Sequence, residues 1–161
     1  MIAIIDYDAG NLRSVEKALL SLGETPVITR DRKTILKADK VILPGVGSFG
    51  DAMGKLEQYG LVDVIHETVD QGTPFLGICL GYQLLFSSSE EFGHHEGLGV
   101  IPGKVVRFDL PAEMKVPHMG WNDLRILHPC AMTEGIEEHT YVYFVHSFRA
   151  DTEDDYISCY T

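Results

Sequence analysis

Through its first half the chain alternates short, wholly apolar blocks with segments whose apolar residues recur at helical spacing. Ile2-Ala3-Ile4-Ile5 is such a block, closed by Asp6 and the turn-forming Tyr7-Asp8-Ala9-Gly10, and it predicts a buried strand feeding a loop. Asn11 is placed to cap a helix in which Leu12, Val15, Leu19 and Leu22 share one face, and Gly23 closes it. Residues 25–29 read as a second strand, 31–37 as a short helix, and 41–43 as a third strand broken by Pro44. Leu61, Val62, Ile65 and Val69 make an amphipathic helix ended by Gly72, and residues 73–78 form a strand with no polar face. Strands apolar on both faces and separated by helices predict a parallel sheet covered on both sides, an α/β fold.

The pattern changes near Gly97. Residues 104–108, 116–121, 141–145 and 156–160 read as strands with turn signals and no long helix between them, which predicts an antiparallel extension. The turn-rich stretch 87–102 separates the halves but has no linker composition, and there is no internal repeat, so residues 1–161 are expected to share one domain. With 13 Lys and Arg against 24 Asp and Glu, the net charge of −11 argues against a nucleic-acid partner, which would need a basic face for phosphate. The longest apolar runs are strand-length, too short for a membrane span or a signal-peptide core, and a cytoplasmic location without membrane partner is expected. Three cysteines, 79, 130 and 159, without CxxC spacing suit neither a disulfide framework nor a zinc site, so no metal is expected.

One cysteine has a special setting. In Gly77-Ile78-Cys79-Leu80-Gly81 an apolar strand passes into a segment bearing Leu80, Leu84 and Leu85, with the form G-x-nucleophile-x-G. A strained strand-to-helix turn presses neighbouring backbone together, so it needs small residues two before and two after the reactive one. There a helix N-terminus favours a thiolate, and the N–H of Leu80 can donate to an oxyanion. The competing reading of Cys79 is a small buried hydrophobe, which is the reading preferred for Cys130 and Cys159. Pro44-Gly45-Val46-Gly47-Ser48-Phe49-Gly50 contains G-x-G-x-x-G, but it follows the third strand, Pro44 interrupts it, and no acidic ribose ligand ends the next strand. A second oxyanion donor beside an acyl-transfer nucleophile fits it better than a dinucleotide site. No general base stands out from spacing: His94-His95-Glu96 reads as a solvated loop, and His118 and His146 lie at strand ends.

Together these residues resemble the class I glutamine amidotransferases, and among them the glutaminase subunits of imidazole glycerol phosphate synthase, of histidine biosynthesis. The resemblance runs the length of the chain, through Ile5-Asp6-Tyr7-Asp8-Ala9-Gly10-Asn11-Leu12, Leu43-Pro44-Gly45-Val46-Gly47-Ser48-Phe49, the Gly77–Gly81 segment with Tyr82-Gln83, Pro117-His118-Met119-Gly120-Trp121-Asn122 and Tyr143-Phe144-Val145-His146-Ser147-Phe148. It implies a three-layer fold, and glutamine hydrolysed to glutamate and ammonia through a thioester on Cys79, with no cofactor. Val46 and Leu80 match the backbone oxyanion donors; Gly47, Gln83, Glu91, Ser147 and Phe148 match positions that hold glutamine. Asn11, Trp121 and Tyr143 match positions facing a barrel-shaped cyclase subunit, which takes the ammonia to make imidazole glycerol phosphate. Family members complete a catalytic triad with a His-Pro-Glu segment near the C-terminus, and residues 1–161 contain none. The domain is therefore expected to be C-terminally incomplete, and the alternative expectation is a binding or scaffold subunit without glutaminase activity.

Overall fold

The computed structural model describes residues 1–111 and 113–161. Its first half is a parallel sheet in the order β2-β1-β3-β4, built from β1 (Ile2–Ile5), β2 (Pro26–Thr29), β3 (Lys40–Gly45) and β4 (Phe75–Cys79). The connecting helices are α1 (Leu12–Ser21), α2 (Arg32–Leu36), α3 (Phe49–Gln58) and α4 (Leu61–Asp70). Leaving β1, the chain winds one way to β2 and then back past β1 to β3. With right-handed crossovers this reversal puts α1 on one face and the later helices on the other. Side-chain alternation agrees: Ala3, Ile5 and Tyr7 with Val41 and Leu43 share a core with Ile35, Phe49, Leu56, Leu61 and Ile65, while Ile2, Ile4 and Ile42 are buried on the opposite face. Three of these helices, α1, α2 and α3, start where the sequence supplies a side-chain cap. The side chains of Asn11, Asp31 and Ser48 accept from the N–H groups of Ser14, Thr34 and Asp51.

After β4 come a one-turn helix, α5 (Leu80–Gln83), then β5 (Phe86–Ser89), β6 (His95–Glu96), β7 (Ile101–Arg107), β8 (His118–Asp123), β9 (Arg125–Ile126), β10 (Tyr141–His146), β11 (Phe148–Asp151) and β12 (Cys159–Tyr160). They form a four-stranded sheet β11-β7-β5-β6 and two antiparallel ribbons, β10-β8 and β12-β9. The antiparallel extension is thus present, with one parallel pair, β5 with β7.

Four expectations are corrected. The stretch 87–102 is not only turns: β5 carries Ser87–Ser89 in a polar strand whose Ser89 is buried, a pattern that alternation of apolar residues does not reveal. The segment 156–160 is a 3₁₀ turn at Asp154–Tyr156 followed by a two-residue strand, and β11 was not read from the sequence at all. The helix after Cys79 ends at Gln83, short of Leu84 and Leu85. Finally, β3 runs through Pro44. Its ladder with β1 stops at the Ile4–Ile42 pair, so at Pro44 the missing N–H deprives no partner on that side, while pairing with β4 continues to Gly45.

Candidate active site

In the parallel register Gly45 stands opposite Cys79. Two segments therefore leave the sheet from the same rung: the loop that begins at Val46 and the helix α5 that begins at Leu80 directly after Cys79. Cys79 has φ +56° and ψ −118°, a conformation that L side chains rarely adopt and that aims the side chain out of the sheet. Its thiol is exposed.

Backbone packing makes the turn possible. A Cβ on Gly81 would fall 1.8 Å from the Leu43 carbonyl oxygen, and one on Gly77 would fall 2.5 Å from the Tyr82 Cα. These are the two positions at which the G-x-Cys-x-G spacing calls for minimal side chains. Gly45 is as tightly held, its Cβ position 2.5 Å from the Gly81 nitrogen and 2.8 Å from the Tyr7 hydroxyl oxygen.

The glycine-rich segment after β3 is anchored at both ends. The Tyr7 hydroxyl donates to the Pro44 carbonyl at 2.8 Å, and the Phe49 N–H donates to Glu91 Oε2 at 2.6 Å. Between the anchors Val46 is exposed and Gly47 takes φ +98° with open space around it. Glu91, read as a binder of the substrate ammonium, thus also caps the start of α3 with one oxygen. Sequence reasoning missed this second job because the partner is a backbone N–H 42 positions away.

Gln83, one turn beyond Cys79, reaches the Phe148 carbonyl at 3.4 Å, and His146 Nδ1 lies 3.0 Å from the same oxygen. The structure so brings Gln83, one turn past the elbow, against the backbone of Phe148. His146 contacts His118, ring nitrogen to ring nitrogen, at 3.3 Å, among Phe108 and Phe144. Burial pulls the His146 pKa below its ordinary value and so favours the neutral ring; the hydrogen bond to the Phe148 carbonyl opposes this, and the neighbouring His118 adds a smaller lowering. Among the described residues neither imidazole hydrogen-bonds to Cys79. His94 pairs with Glu96 at 2.9 Å and both are exposed, but the segment is not the expected loop: His95–Glu96 is β6, and the half-buried His95 ring packs beside Gly50. Among the described residues no group of three His, Cys, Asp or Glu side chains is arranged to hold a metal, and no helix is long and apolar enough to cross a membrane.

The residues proposed for a partner lie elsewhere. On the β8–β10 ribbon Trp121 stands opposite Tyr143 and Met119 opposite Val145, and all four are exposed on one face. The Trp121 and Tyr143 rings meet edge to face with centroids 5.5 Å apart. Asn11 spends its side-chain oxygen on the α1 cap and is itself exposed.

Comparison with known proteins decides the family. The family model "Glutamine amidotransferase class-I" matches residues 3–160. The chain belongs to the class I glutamine amidotransferases. This amidotransferase is 51% identical to the imidazole glycerol phosphate synthase subunit HisH of Syntrophotalea carbinolica, over 96% of this chain and 77% of that one. It is 53% identical to the HisH subunit of Sulfurimonas denitrificans, over 96% of this chain and 76% of that one. The amidotransferase chain thus spans about three quarters of the length of these relatives. In fold it matches the crystal structure of a glutamine amidotransferase, with TM-score 0.69 at 21% identity over 92% of this chain and 72% of that one. It also matches PurLQS from Thermotoga maritima, with the same TM-score and identity over 96% and 70% of the two chains.

Proposed function

We infer that the full-length protein is the glutamine-hydrolysing subunit of imidazole glycerol phosphate synthase and passes ammonia to a partner subunit. The Gly45–Cys79 rung supports the chemistry most directly: it puts Cys79 on a strained turn with Leu80 after it and Val46 one residue past its rung partner, and the N–H groups of these two are the proposed oxyanion donors. In the proposed reaction the Cys79 sulfur attacks the side-chain carbonyl carbon of glutamine. The two N–H groups hold the developing oxyanion, the carbon–nitrogen bond breaks, and the nitrogen leaves with a proton as ammonia. Water then attacks the thioester, releasing glutamate and restoring the thiol. Gly47, Gln83, Glu91, Ser147 and Phe148 line the substrate site, with Glu91 facing the substrate ammonium.

A thiol in this role needs a base to take its proton and an acid for the leaving nitrogen. We propose that a His–Glu pair outside residues 1–161 supplies both, and that Asn11, Trp121 and Tyr143 face a barrel-shaped cyclase. A sealed path between the sites keeps ammonia from protonating in water, where it loses its nucleophilic lone pair.

A glutamine analogue that alkylates thiols tests the assignment. In the full-length protein with its partner it should label Cys79, and excess glutamine should protect. Cys130 is the necessary control: it is exposed, not the small buried hydrophobe expected, and a hydrogen bond from Ser158 leads the effects that lower its thiol pKa. Glutamine-protectable labelling that persists in Cys79→Ser would overturn the assignment. Glutamine turnover by residues 1–161 alone with the partner would overturn the need for an external His–Glu pair.

A further inference from the structure

We propose that Tyr7 is a positioning residue for the oxyanion site: its buried hydroxyl holds the Pro44 carbonyl and thereby fixes the strand end from which the Val46 N–H is presented to the substrate. The proposal rests on the reading of Val46 as an oxyanion donor.

Tyr7 has no exposed surface, and its hydroxyl donates to Pro44 at 2.8 Å. That carbonyl belongs to a strand whose neighbour on one side has ended, since the β1–β3 ladder closes at Ile4–Ile42. The tyrosine, two residues past the end of β1, supplies by side chain the hydrogen bond that the next rung of backbone would have given. An unfilled carbonyl there would cost a buried acceptor its partner and leave the end of β3 free to twist.

The hydroxyl also lies inside the junction of the end of β3 with the start of α5. The space that a Cβ on Gly45 would need is bounded by the Tyr7 oxygen at 2.8 Å, the Gly81 nitrogen at 2.5 Å and the Leu80 Cβ at 2.9 Å. From the other side, a Cβ on Gly10 would lie 3.3 Å from the Pro44 Cβ and 3.5 Å from the Gly45 nitrogen. The Pro44–Gly45 peptide is therefore confined, and the chain first becomes free at Val46. Burial, with a further contribution from the charge of Cys79, raises the phenol pKa and keeps it a proton donor.

An oxyanion donor acts on the transition state and not on bound glutamine, so loosening it should lower kcat and spare KM. For the full-length protein with its partner, Tyr7→Phe should reduce glutaminase kcat about tenfold with KM within about twofold, less than the loss of a donor outright. Val46→Pro, which deletes the N–H on an exposed residue, should reduce kcat about a hundredfold. Tyr59→Phe, which removes a hydroxyl bonded to Asp8 outside this junction, should leave both constants unchanged. 4-Aminophenylalanine at position 7 keeps a donor in place and should restore kcat to within about threefold of the parent. Unchanged kcat in Tyr7→Phe with a large loss in Val46→Pro overturns the Tyr7 proposal alone, whereas unchanged kcat in Val46→Pro overturns the oxyanion reading on which it rests. If Tyr7→Phe does not fold, the 4-aminophenylalanine protein decides, and a kcat loss of tenfold or more in it overturns the proposal.

Discussion

Replacing Gly81 by alanine adds one methyl group where the elbow turns against β3. The new Cβ would sit 1.8 Å from the Leu43 carbonyl oxygen and 3.1 Å from the Pro44 carbonyl carbon, and both obstacles are backbone. Because such contacts do not fall below about 3 Å, the start of α5 must retreat from β3 by on the order of 1 Å. Overpacking of this kind typically costs about 1–3 kcal/mol. With a urea slope of about 2 kcal/mol per molar, the denaturation midpoint of the full-length protein should fall by roughly 0.5–1.5 M. The displaced segment carries Cys79 and the Leu80 N–H, and a misplacement of about 1 Å lowers turnover on the order of a hundredfold. Gly54→Ala is the counterpart. It lies within α3 with nothing in 4 Å of its Cβ position, so alanine should gain roughly 0.5–1 kcal/mol of helix stability and leave turnover unchanged. Urea titration and a glutaminase assay on both variants check the pair. Parental stability and turnover in Gly81→Ala would refute the packing of the elbow on β3.

Three further outcomes follow from other parts of the structure. Glu91→Gln keeps an acceptor for the Phe49 N–H but loses the charge proposed for the substrate ammonium, so KM for glutamine should rise about tenfold while the melting temperature holds; equal KM would refute the charge role. Trp121→Ala should weaken binding to the partner subunit by roughly thirtyfold in calorimetry, as for a central aromatic anchor, and an unchanged Kd would place the interface elsewhere. Asp8 receives hydrogen bonds from Arg30 and then Tyr59 that hold its carboxyl below the ordinary 3.8. A lowered folded-state pKa stabilises above 3.8 and loses that contribution as pH falls through the lowered value, so the urea midpoint should drop more steeply between about pH 5 and pH 2 in the parent than in Asp8→Asn. Identical slopes would refute it.

The parallel half was legible because its strands are apolar on both faces and its first two helices begin at Asn11 and Asp31, signals a few residues long. The elbow was legible for the same reason: two glycines flank Cys79 at fixed spacing, and each is needed to avoid a clash. What stayed hidden was non-local. Ser87 to Ser89 form a strand only because β7 and β6 flank it, and their composition reads as a turn. The hydrogen bonds of Tyr7 to Pro44 and of Phe49 to Glu91 span 37 and 42 positions, and no spacing rule reaches that far. Gln83 and Phe148 matched substrate positions by resemblance, but only the folded chain shows them touching across 65 residues.

The rung shared by Gly45 and Cys79 also says where this chain tolerates a change of length. Cys79 and Val46, the proposed nucleophile and oxyanion donor, are aligned by the count of residues from the β3–β4 pairing, not by any one side chain. Deleting a residue within Val41–Gly45 or Phe75–Cys79 would slip one loop past the other by a full rung of about 3.3 Å and turn every side chain of that strand to the opposite face. The α3–α4 junction at Tyr59-Gly60 and the turn at Gln71-Gly72 carry no such constraint, so insertions and deletions are tolerable there and excluded on the strands.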